Sequence, residues 1–463
     1  MTWHWKTITN VVQEHIPNHA SLSTTSASVW VGSQWPFMGD TSESIESISG
    51  SGDVSAVHDA GLIGSLRDSS LQRFAGATLM WGTGHQLITV AQGYLLFELT
   101  ESTLWLAALG AAVGIPNIIV AVLGGLLADR VSRTRLLMVG STIAGLPMLA
   151  IAILFALDVL EPWHLLIAGA AQGSALALDW IARLSLLPDV VPENTLVRAI
   201  SIDQSAFNGA RVIAPLIGGF ILGSLGPSAA YGLTAAFFGL AIVIYSTFRP
   251  RTSMAPGPHA GIIEDFKEVG RVLRGNTILR LNLLFTAVNA LMLGGLIFIM
   301  PAFAKEVFNT DEAGLGYLFA AIGLGAVAGA VTMSWTGGVR RAGPTLLITD
   351  VLTGGFVIAW AFTSTMPLAL PIAFLFGYFN AVHIALGIVV IQVNVPAEVR
   401  GRVLGAYELA WAGFPLGGLA SGSLAAAFGL RNSLTILAIG LIVFTVVVTA
   451  VSQQFRQLRI ENR

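Results

Sequence analysis

The sequence predicts an all-α integral membrane protein with twelve transmembrane helices in two pseudo-symmetric six-helix bundles. Three observations lead to this fold class. Of the 463 residues, 54% are hydrophobic and only 11% are charged, whereas about 25% of the residues in a soluble protein are charged. Apolar stretches of the roughly 20 residues needed to cross a bilayer recur in two sets of six. The basic residues concentrate in alternate connections between these stretches.

Each apolar stretch is expected to be a helix, because backbone groups in lipid must pair within their own segment. The first set lies near residues 74–97, 104–127, 136–157, 162–186, 199–223 and 228–248. The second set lies near residues 279–303, 314–335, 345–363, 369–393, 403–427 and 432–452. No segment shows the alternating pattern, over about ten residues, of a membrane β-strand.

The segments outside the bundles are polar. Residues 1–70 are rich in Ser, Thr and Gly and lack the apolar core of a signal peptide, so we expect a disordered cytoplasmic tail. Within the linker, Ile262, Phe266, Val269 and Leu273 share one helical face, which predicts an amphipathic helix on the inner membrane surface. The expected domains are the tail 1–70, the N-terminal bundle 71–248, the linker 249–277, the C-terminal bundle 278–453 and a cytoplasmic tail 454–463.

Basic residues fix the predicted orientation, since cytoplasmic loops carry an excess of Lys and Arg. Thirteen basic residues fall in the connections on the side of the N-terminus, whereas the opposite side has only Lys305 and Arg431. Both termini should therefore lie in the cytoplasm, and the chain should be a multi-pass protein of the cell membrane. The chain has no cysteine, which excludes disulfides and thiolate metal sites, and its net charge of -2 gives no reason to expect nucleic acid as a partner.

The two halves share sequence. Val191-Pro192-Glu193 follows the fourth span, and Val395-Pro396-Ala397-Glu398 follows the tenth. Further on, Pro215-Leu216-Ile217-Gly218-Gly219 corresponds to Pro415-Leu416-Gly417-Gly418. Internal duplication around a site near the bilayer midplane is the architecture of secondary transporters.

The loop after the second span and the fifth span together resemble the major facilitator superfamily. The loop contains Gly125, Asp129, Arg130, Arg133 and Arg135 at the positions of the superfamily's Gly-x-x-x-Asp-Arg-x-x-Gly-Arg-Arg signature, with Ser132 in place of the second glycine. The fifth span is similar to the antiporter signature of the superfamily through Ala210, Ala214, Pro215, Gly218 and Gly219, alanine standing for two glycines. Arg211 and the segment Pro396–Val403 resemble the branch of enterobactin exporters and macrolide efflux pumps.

The resemblance implies roles for several groups of residues. Asp129, with the neighbouring glycine and arginines, would latch the outward-facing state by meeting a helix N-terminus of the other half; the arginines could instead serve only to set topology. Pro215, Gly218 and Gly219 would form a closely packed seam or an ordinary packing kink. Spans one, four, seven and ten would line the substrate cavity. The candidates there are Trp81, His85, Gln86, Thr89, Gln172, Asn282, Asn289, Tyr378, Asn380 and His383.

Ionisable residues inside the spans are candidates for energy coupling, because they are expensive in lipid and usually face the bundle interior. They are Asp179, Arg183, Asp203, Arg211, Asp350 and Glu408. Arg183 lies ten residues before Glu193 and Asp203 ten after it, and Asp179 lies one helical turn before Arg183. This spacing predicts a network of Asp179, Arg183 and Asp203 near the cytoplasmic mouth, either a switch operated by protonation of Asp203 or a permanent structural ion pair. Asp350 and Glu408 have no obvious partner, and His85 and His383 are expected to be hydrogen-bonded interior groups.

The predicted function is export of an amphipathic small molecule, such as a drug or siderophore, by proton antiport and alternating access. The mixture of aromatic and neutral amide candidates suits a bulky amphiphile. Proton-coupled uptake of a metabolite by symport is the alternative. A membrane enzyme and a receptor on a transporter fold are weaker interpretations, because no nucleophile with a base and no nucleotide loop is found in the sequence. We expect no cofactor, the proton gradient as energy source and a monomer in the lipid bilayer.

Overall fold

The computed structural model describes residues 69–128, 131–191, 196–248, 262–335, 341–395, 403, 406–407 and 409–458. The helices of the N-terminal half are α1 (Ser69–Thr100), α2 (Thr103–Ala128), α3 (Arg133–Ala156), α4 (Pro162–Val190) and α5 (Leu196–Ser246). The linker contains α6 (Ile262–Gly275). The C-terminal half has α7 (Thr277–Glu306), α8 (Glu312–Trp335), α9 (Ala342–Phe362), α10 (Met366–Asn394), α11 (Gly413–Phe428), α12 (Leu430–Val451) and the short α13 (Gln453–Arg456).

Each predicted span falls on one of these helices, the eleventh (403–427) only from Gly413 onward. Within the described residues, nine helical segments are long and apolar enough to cross a membrane. The remaining three spans are α1, the first part of α5, and α11, whose described part has 16 residues. Bulky apolar side chains such as Leu146, Phe220 and Val443 are exposed on the outside of the bundle. This is expected of helices that are apolar all round, since their outer surfaces face lipid rather than water.

Helix α5 holds the fifth and sixth spans together, because the chain turns at a single residue. Gly226 has φ 81° and ψ 175°, a region of backbone space that is essentially open to glycine alone. Gly429, between α11 and α12, has φ 86° and ψ 160°. The two halves therefore make the same turn at equivalent places.

The two halves also pack in the same way. In the N-terminal half α1 packs on α5, α2 on α4, and α3 on α4 and α5; in the C-terminal half α7 packs on α11, α8 on α10, and α9 on α10 and α12. The halves meet along two seams, α2 against α11 and α5 against α8. The repeat seen in the sequence is thus a repeat of structure.

Small residues allow both seams to close. A Cβ atom on Gly219 would lie 2.8 Å from the carbonyl oxygen of Glu312 and 3.0 Å from the Cα of Gly316, so α5 and α8 touch through their backbones. At the other seam, a Cβ on Gly110 would lie 2.8 Å from the backbone nitrogen of Leu419. The duplicated Pro-Gly motif supplies one wall of each seam, with Pro215 on α5 and Pro415 on α11. Gly218 instead faces Leu87 on α1.

The ends of the chain refine the expected domain limits. Residues 1–68, on which the prediction of a disordered tail falls, lie outside the described residues. The described part of the predicted C-terminal tail, which ends at Leu458, packs on the C-terminal bundle. Phe455 is fully buried and its ring stacks on Phe285 of α7, with centroids 5.1 Å apart. The amphipathic pattern of the linker is borne out by α6, where Val272 and Leu273 pack on the C-terminal half.

Candidate transport and coupling sites

A cluster of three charged residues is buried between α4 and α5. The Arg183 guanidinium donates through Nε to Asp179 Oδ2 at 3.0 Å and through Nη1 to Asp203 Oδ2 at 2.7 Å. All three side chains are at most 2% exposed. The structure therefore brings together Asp179, Arg183 and Asp203 as the spacing predicts, while their role in coupling stays a prediction.

Two further features of this cluster are absent from the sequence prediction. Thr78 of α1 donates its hydroxyl to Asp203 Oδ1 at 2.6 Å, which joins a third helix to the cluster. The guanidinium of Arg183 also lies 4.9 Å from the ring centroid of Phe207, within the range of a cation–π interaction. Two carboxylates share one guanidinium, so the cluster has a net negative charge when every group is ionised. Binding of one proton would make the cluster neutral.

The C-terminal half holds a second buried cluster. His383 Nδ1 of α10 lies 2.8 Å from Asp350 Oδ1 of α9. Asn289 of α7 donates its amide to the same carboxylate oxygen at 3.1 Å, and Asn380 donates to Asn289 Oδ1 at 2.7 Å. Asp350, for which the sequence shows no obvious partner, thus has His383 and Asn289 beside its carboxylate. The place of Asn289, Asn380 and His383 along a substrate cavity stays a prediction. All four side chains are buried.

The sequence contains a signal for this pairing. Helices α9 and α10 are joined by a turn that ends at Thr365, with Asp350 fifteen residues before it and His383 eighteen after it. The two residues therefore lie at similar depth in the membrane, as do Arg183 and Asp203 about their own turn.

The remaining cavity candidates fall into two groups. His85, Gln86, Thr89 and Tyr378 are partly exposed within the bundle, as expected of residues that can meet a substrate. Trp81, Gln172 and Asn282 are buried. Asn282 donates to the backbone oxygen of Gly387 at 3.0 Å, so its amide joins α7 to α10.

An aromatic wall connects the first charge cluster to the partly exposed residues. The His85 ring stacks on Trp81, with centroids 5.2 Å apart, and Trp81 packs in turn on Phe207. At the other end of the wall, the guanidinium carbon of the exposed Arg211 lies 5.5 Å from the ring centroid of Phe207. Phe207, which was not singled out from the sequence, thus contacts both Arg183 and Arg211. Among the three rings, His85 is partly exposed, whereas Trp81 and Phe207 are buried.

The signature loop is only partly described. Gly125 lies in the last turns of α2, while Asp129 and Arg130 lie outside the described residues, as does Glu408. Arg133 donates to Asp189 Oδ2 at 2.7 Å and to the Ser185 carbonyl at 2.6 Å, both on α4 of the same half. Arg135 is exposed. A latch between the halves at this loop stays a prediction.

The fold resembles solved membrane transporters. A bacterial homologue of the human lysosomal transporter Spinster, in an inward-facing and unoccupied conformation, aligns with a TM-score of 0.69 and 16% identity over 85% of this chain and 98% of that one. The nucleoside transporter NupG aligns with a TM-score of 0.62 and 14% identity over 82% and 98% of the two chains. Together with the two matched halves, these likenesses show that the chain has the fold of these proteins, as the resemblance to the major facilitator superfamily implies.

The family follows from the sequence itself. Residues 63–460 match the model of a family described as transmembrane secretion effector, and the chain belongs to that family. The multidrug efflux pump Tap of Mycolicibacterium fortuitum is 25% identical over 387 residues, which span 80% of this chain and 93% of that protein. The enterobactin exporter EntS of Salmonella typhi is 26% identical over 385 residues, spanning 81% and 90%. The expected position near the efflux branch is confirmed.

Proposed function

We propose that this protein exports amphipathic small molecules, drug-like or siderophore-like, across the cytoplasmic membrane in exchange for protons. The efflux function of Tap and EntS, each matched along most of its length, supports the direction of transport. The protein would act as a monomer with both termini in the cytoplasm, would need no cofactor and would draw energy from the proton gradient. The bundles 71–248 and 278–453 would be the two moving bodies.

Alternating access is supported by where the halves touch. The sequence predicts that the turns at Glu101–Ser102, 157–161, Gly226, 307–311, 363–365 and Gly429 face outward; we call this side the outer face. Gly219 meets Gly316 close to the outer ends of their helices, and Gly422 approaches the Thr103 carbonyl there. Glu101 and Lys305 of opposite halves lie 3.8 Å apart on that face. These contacts suit a state closed to the outside.

The cluster of Asp179, Arg183 and Asp203 is the observation that carries the proton-coupling part of the proposal. Its three side chains are at most 2% exposed, and a buried charge without a full counter-charge is costly. Taking up one proton neutralises the cluster and frees one contact of Arg183. Phe207 then links the changed guanidinium to the wall that includes Trp81, so protonation and cargo binding would act on the same surface.

Transport into everted membrane vesicles tests the proposal, with ethidium and enterobactin as probes. An acidic lumen should drive accumulation of a probe in vesicles that contain the protein, because protons leave as cargo enters. A symporter, the alternative, would move the probe out together with the protons. Accumulation of neither probe above that in vesicles without the protein would contradict the proposed cargo class.

Asp203→Asn is the matching variant for coupling. The amide is neutral and nearly isosteric, so we expect gradient-driven accumulation to fall to the level of vesicles without the protein. Asp158→Asn is the control, because Asp158 is exposed in a turn with φ 59°, a conformation that Asn adopts readily; this variant should transport as the wild type does. Undiminished accumulation in Asp203→Asn would remove Asp203 from the coupling machinery.

A further inference from the structure

The Asp350 cluster differs from the Arg183 cluster in the source of its counter-charge. Among the described residues of α7 to α12, the charged side chains other than Asp350 lie near helix ends: Arg280, Lys305, Glu306, Glu312, Arg341 and Arg431. The uncharged titratable groups on these elements are His383, Tyr317, Tyr378 and Tyr407. In this described part of the C-terminal half, His383 is therefore the group beside Asp350 that can become a cation, with its Nδ1 2.8 Å from the carboxylate.

This arrangement limits the charge states that are stable in the membrane. Asp350 and His383 are 0% and 1% exposed, so an ionised carboxylate beside a neutral imidazole would leave a net buried charge, which is unfavourable. One additional proton removes the charge, either as imidazolium and carboxylate or as neutral imidazole and carboxylic acid. Because Nδ1 and Oδ1 are 2.8 Å apart, a single proton at this place can be held by either group.

The polar atoms around the pair are arranged for a proton that can leave and return. Asn289 donates to Asp350 Oδ1, and Asn380 orients Asn289 through its other end. In contrast, Asp350 Oδ2 and both ring nitrogens of His383 are buried without a hydrogen-bond partner among the described residues, although Nδ1 lies 2.8 Å from Asp350 Oδ1. Buried polar atoms in native proteins are nearly always paired, so these three atoms mark a place where a proton or a water molecule can be received.

We propose that Asp350 and His383 form a proton-binding site of the C-terminal half, separate from the site at Arg183. Asn289 and Asn380 are positioning residues that hold the carboxylate toward the imidazole. Each half would then bind one proton, and the transporter would carry up to two protons per cycle. This inference deepens the proposed function, since the second proton drives transport only if the protein is a proton-coupled exporter.

Counting protons on the purified protein in liposomes tests the site without any cargo. Between about pH 5 and 8, where an ordinary histidine titrates, a pH jump in weakly buffered solution gives the protons bound or released per chain. We expect Asp350→Asn and Asp203→Asn each to lose about one proton, and the double variant about two. Asp158→Asn should match the wild type. An unchanged count in Asp350→Asn, or a loss in the double variant no larger than in one single variant, would overturn the proposal.

Infrared difference spectra separate a proton site from a merely structural pair. In His383→Gln the carboxyl of Asp350 has to hold the proton by itself. The difference between the spectra of His383→Gln and Asp350→Asn/His383→Gln should therefore contain a protonated-carboxyl band, which cannot come from Asp179 or Asp203 because both variants retain them. The absence of this band from the difference would show that Asp350 binds no proton. Neither measurement uses cargo. Failure of ethidium or enterobactin transport would therefore contradict the proposed function, whereas the proton count tests the proton-binding site independently of transport.

Discussion

Arg183 holds the N-terminal half together at the level of single residues. Its guanidinium bonds one carboxylate on its own helix and one on α5, while Thr78 brings α1 to the same carboxylate. Removing one member of a buried ion pair typically costs about 3–5 kcal/mol, because the remaining charge is left without compensation. Three helices therefore depend on one cation for their alignment.

Thr78→Val tests the third arm of this cluster. The valine keeps the shape of threonine but removes the donor to Asp203, and a hydrogen bond to a charged group contributes about 1.5–3 kcal/mol. We expect the free energy of unfolding in detergent to fall by that amount. Thr78→Ser, which keeps the hydroxyl, should lose less.

Thr234→Val is the matched control for this measurement. Thr234 is equally buried, but its hydroxyl bonds only the Ala230 carbonyl of its own helix. An equal loss of stability in both valine variants would show that the bond to Asp203 adds nothing beyond the cost of the substitution.

The residue scale also shows what the sequence can reveal about such a site. Asp179, Arg183 and Asp203 were predictable because helical spacing and depth about one turn relate them directly. Thr78 and Phe207 were not, since both reach the cluster by packing of helices whose rotation about their axes the apolar pattern does not fix. Hydropathy identifies a span, but when every side of the helix is apolar it does not indicate which side faces the neighbouring helices.

Helices α5 and α8 form a seam that depends on two glycines. A Cβ on Gly316 would lie 2.9 Å from the carbonyl oxygen of Pro215 and 3.2 Å from the Cα of Gly219, one turn further along α5. Contacts of this kind stabilise membrane helices through close packing, because lipid supplies no hydrophobic drive for their association. The fit is therefore sensitive to a single methyl group.

Gly219→Ala should weaken this seam. The new Cβ would lie 2.8 Å from the Glu312 carbonyl oxygen, and overpacking of this kind costs about 1–3 kcal/mol. We expect a lower midpoint of thermal unfolding and reduced transport in vesicles. Gly209→Ala is the control on the same helix, since a Cβ there would meet nothing within 4 Å and should leave both quantities unchanged or slightly raised. Equal behaviour of the two variants would argue that α5 and α8 are not in contact when the protein rests.

The twelve spans and their duplication could be predicted from the sequence, because both rest on a long-range regularity of apolar residues. The direction of the spans, which rests on the basic residues, stays a prediction. The docking of the C-terminal segment could not be predicted, since the apolar pattern of the sequence does not indicate that Phe455 packs against Phe285. The pairing of the halves along α2 with α11 and α5 with α8 was likewise absent from the prediction. It follows from the three-dimensional arrangement of two equivalent motifs.

A cross-link between the halves tests alternating access for the whole molecule. Glu101 and Lys305 lie on opposite halves and their charged atoms are 3.8 Å apart, so Glu101→Cys/Lys305→Cys should react with a short flexible bismaleimide. The chain has no other cysteine, so the product is a single species. We expect transport to stop once the link forms, because the outer side can no longer open.

Glu101→Cys and Lys305→Cys alone, treated with the same reagent, are the controls and should keep transporting. Full transport by the cross-linked double variant would rule out separation of the halves at this face as a step of the cycle.

The turns on the outer face are only one to five residues long, and two of them are the single glycines Gly226 and Gly429. A protein built this way shows the surrounding medium little more than the caps of its helices. In the predicted orientation, antibodies and proteases would find few exposed loops to bind on intact cells. An epitope inserted at Gly226 or Gly429 would have to lengthen a connection of one residue. Chemical labels the size of an amino acid suit this surface better than binding proteins do.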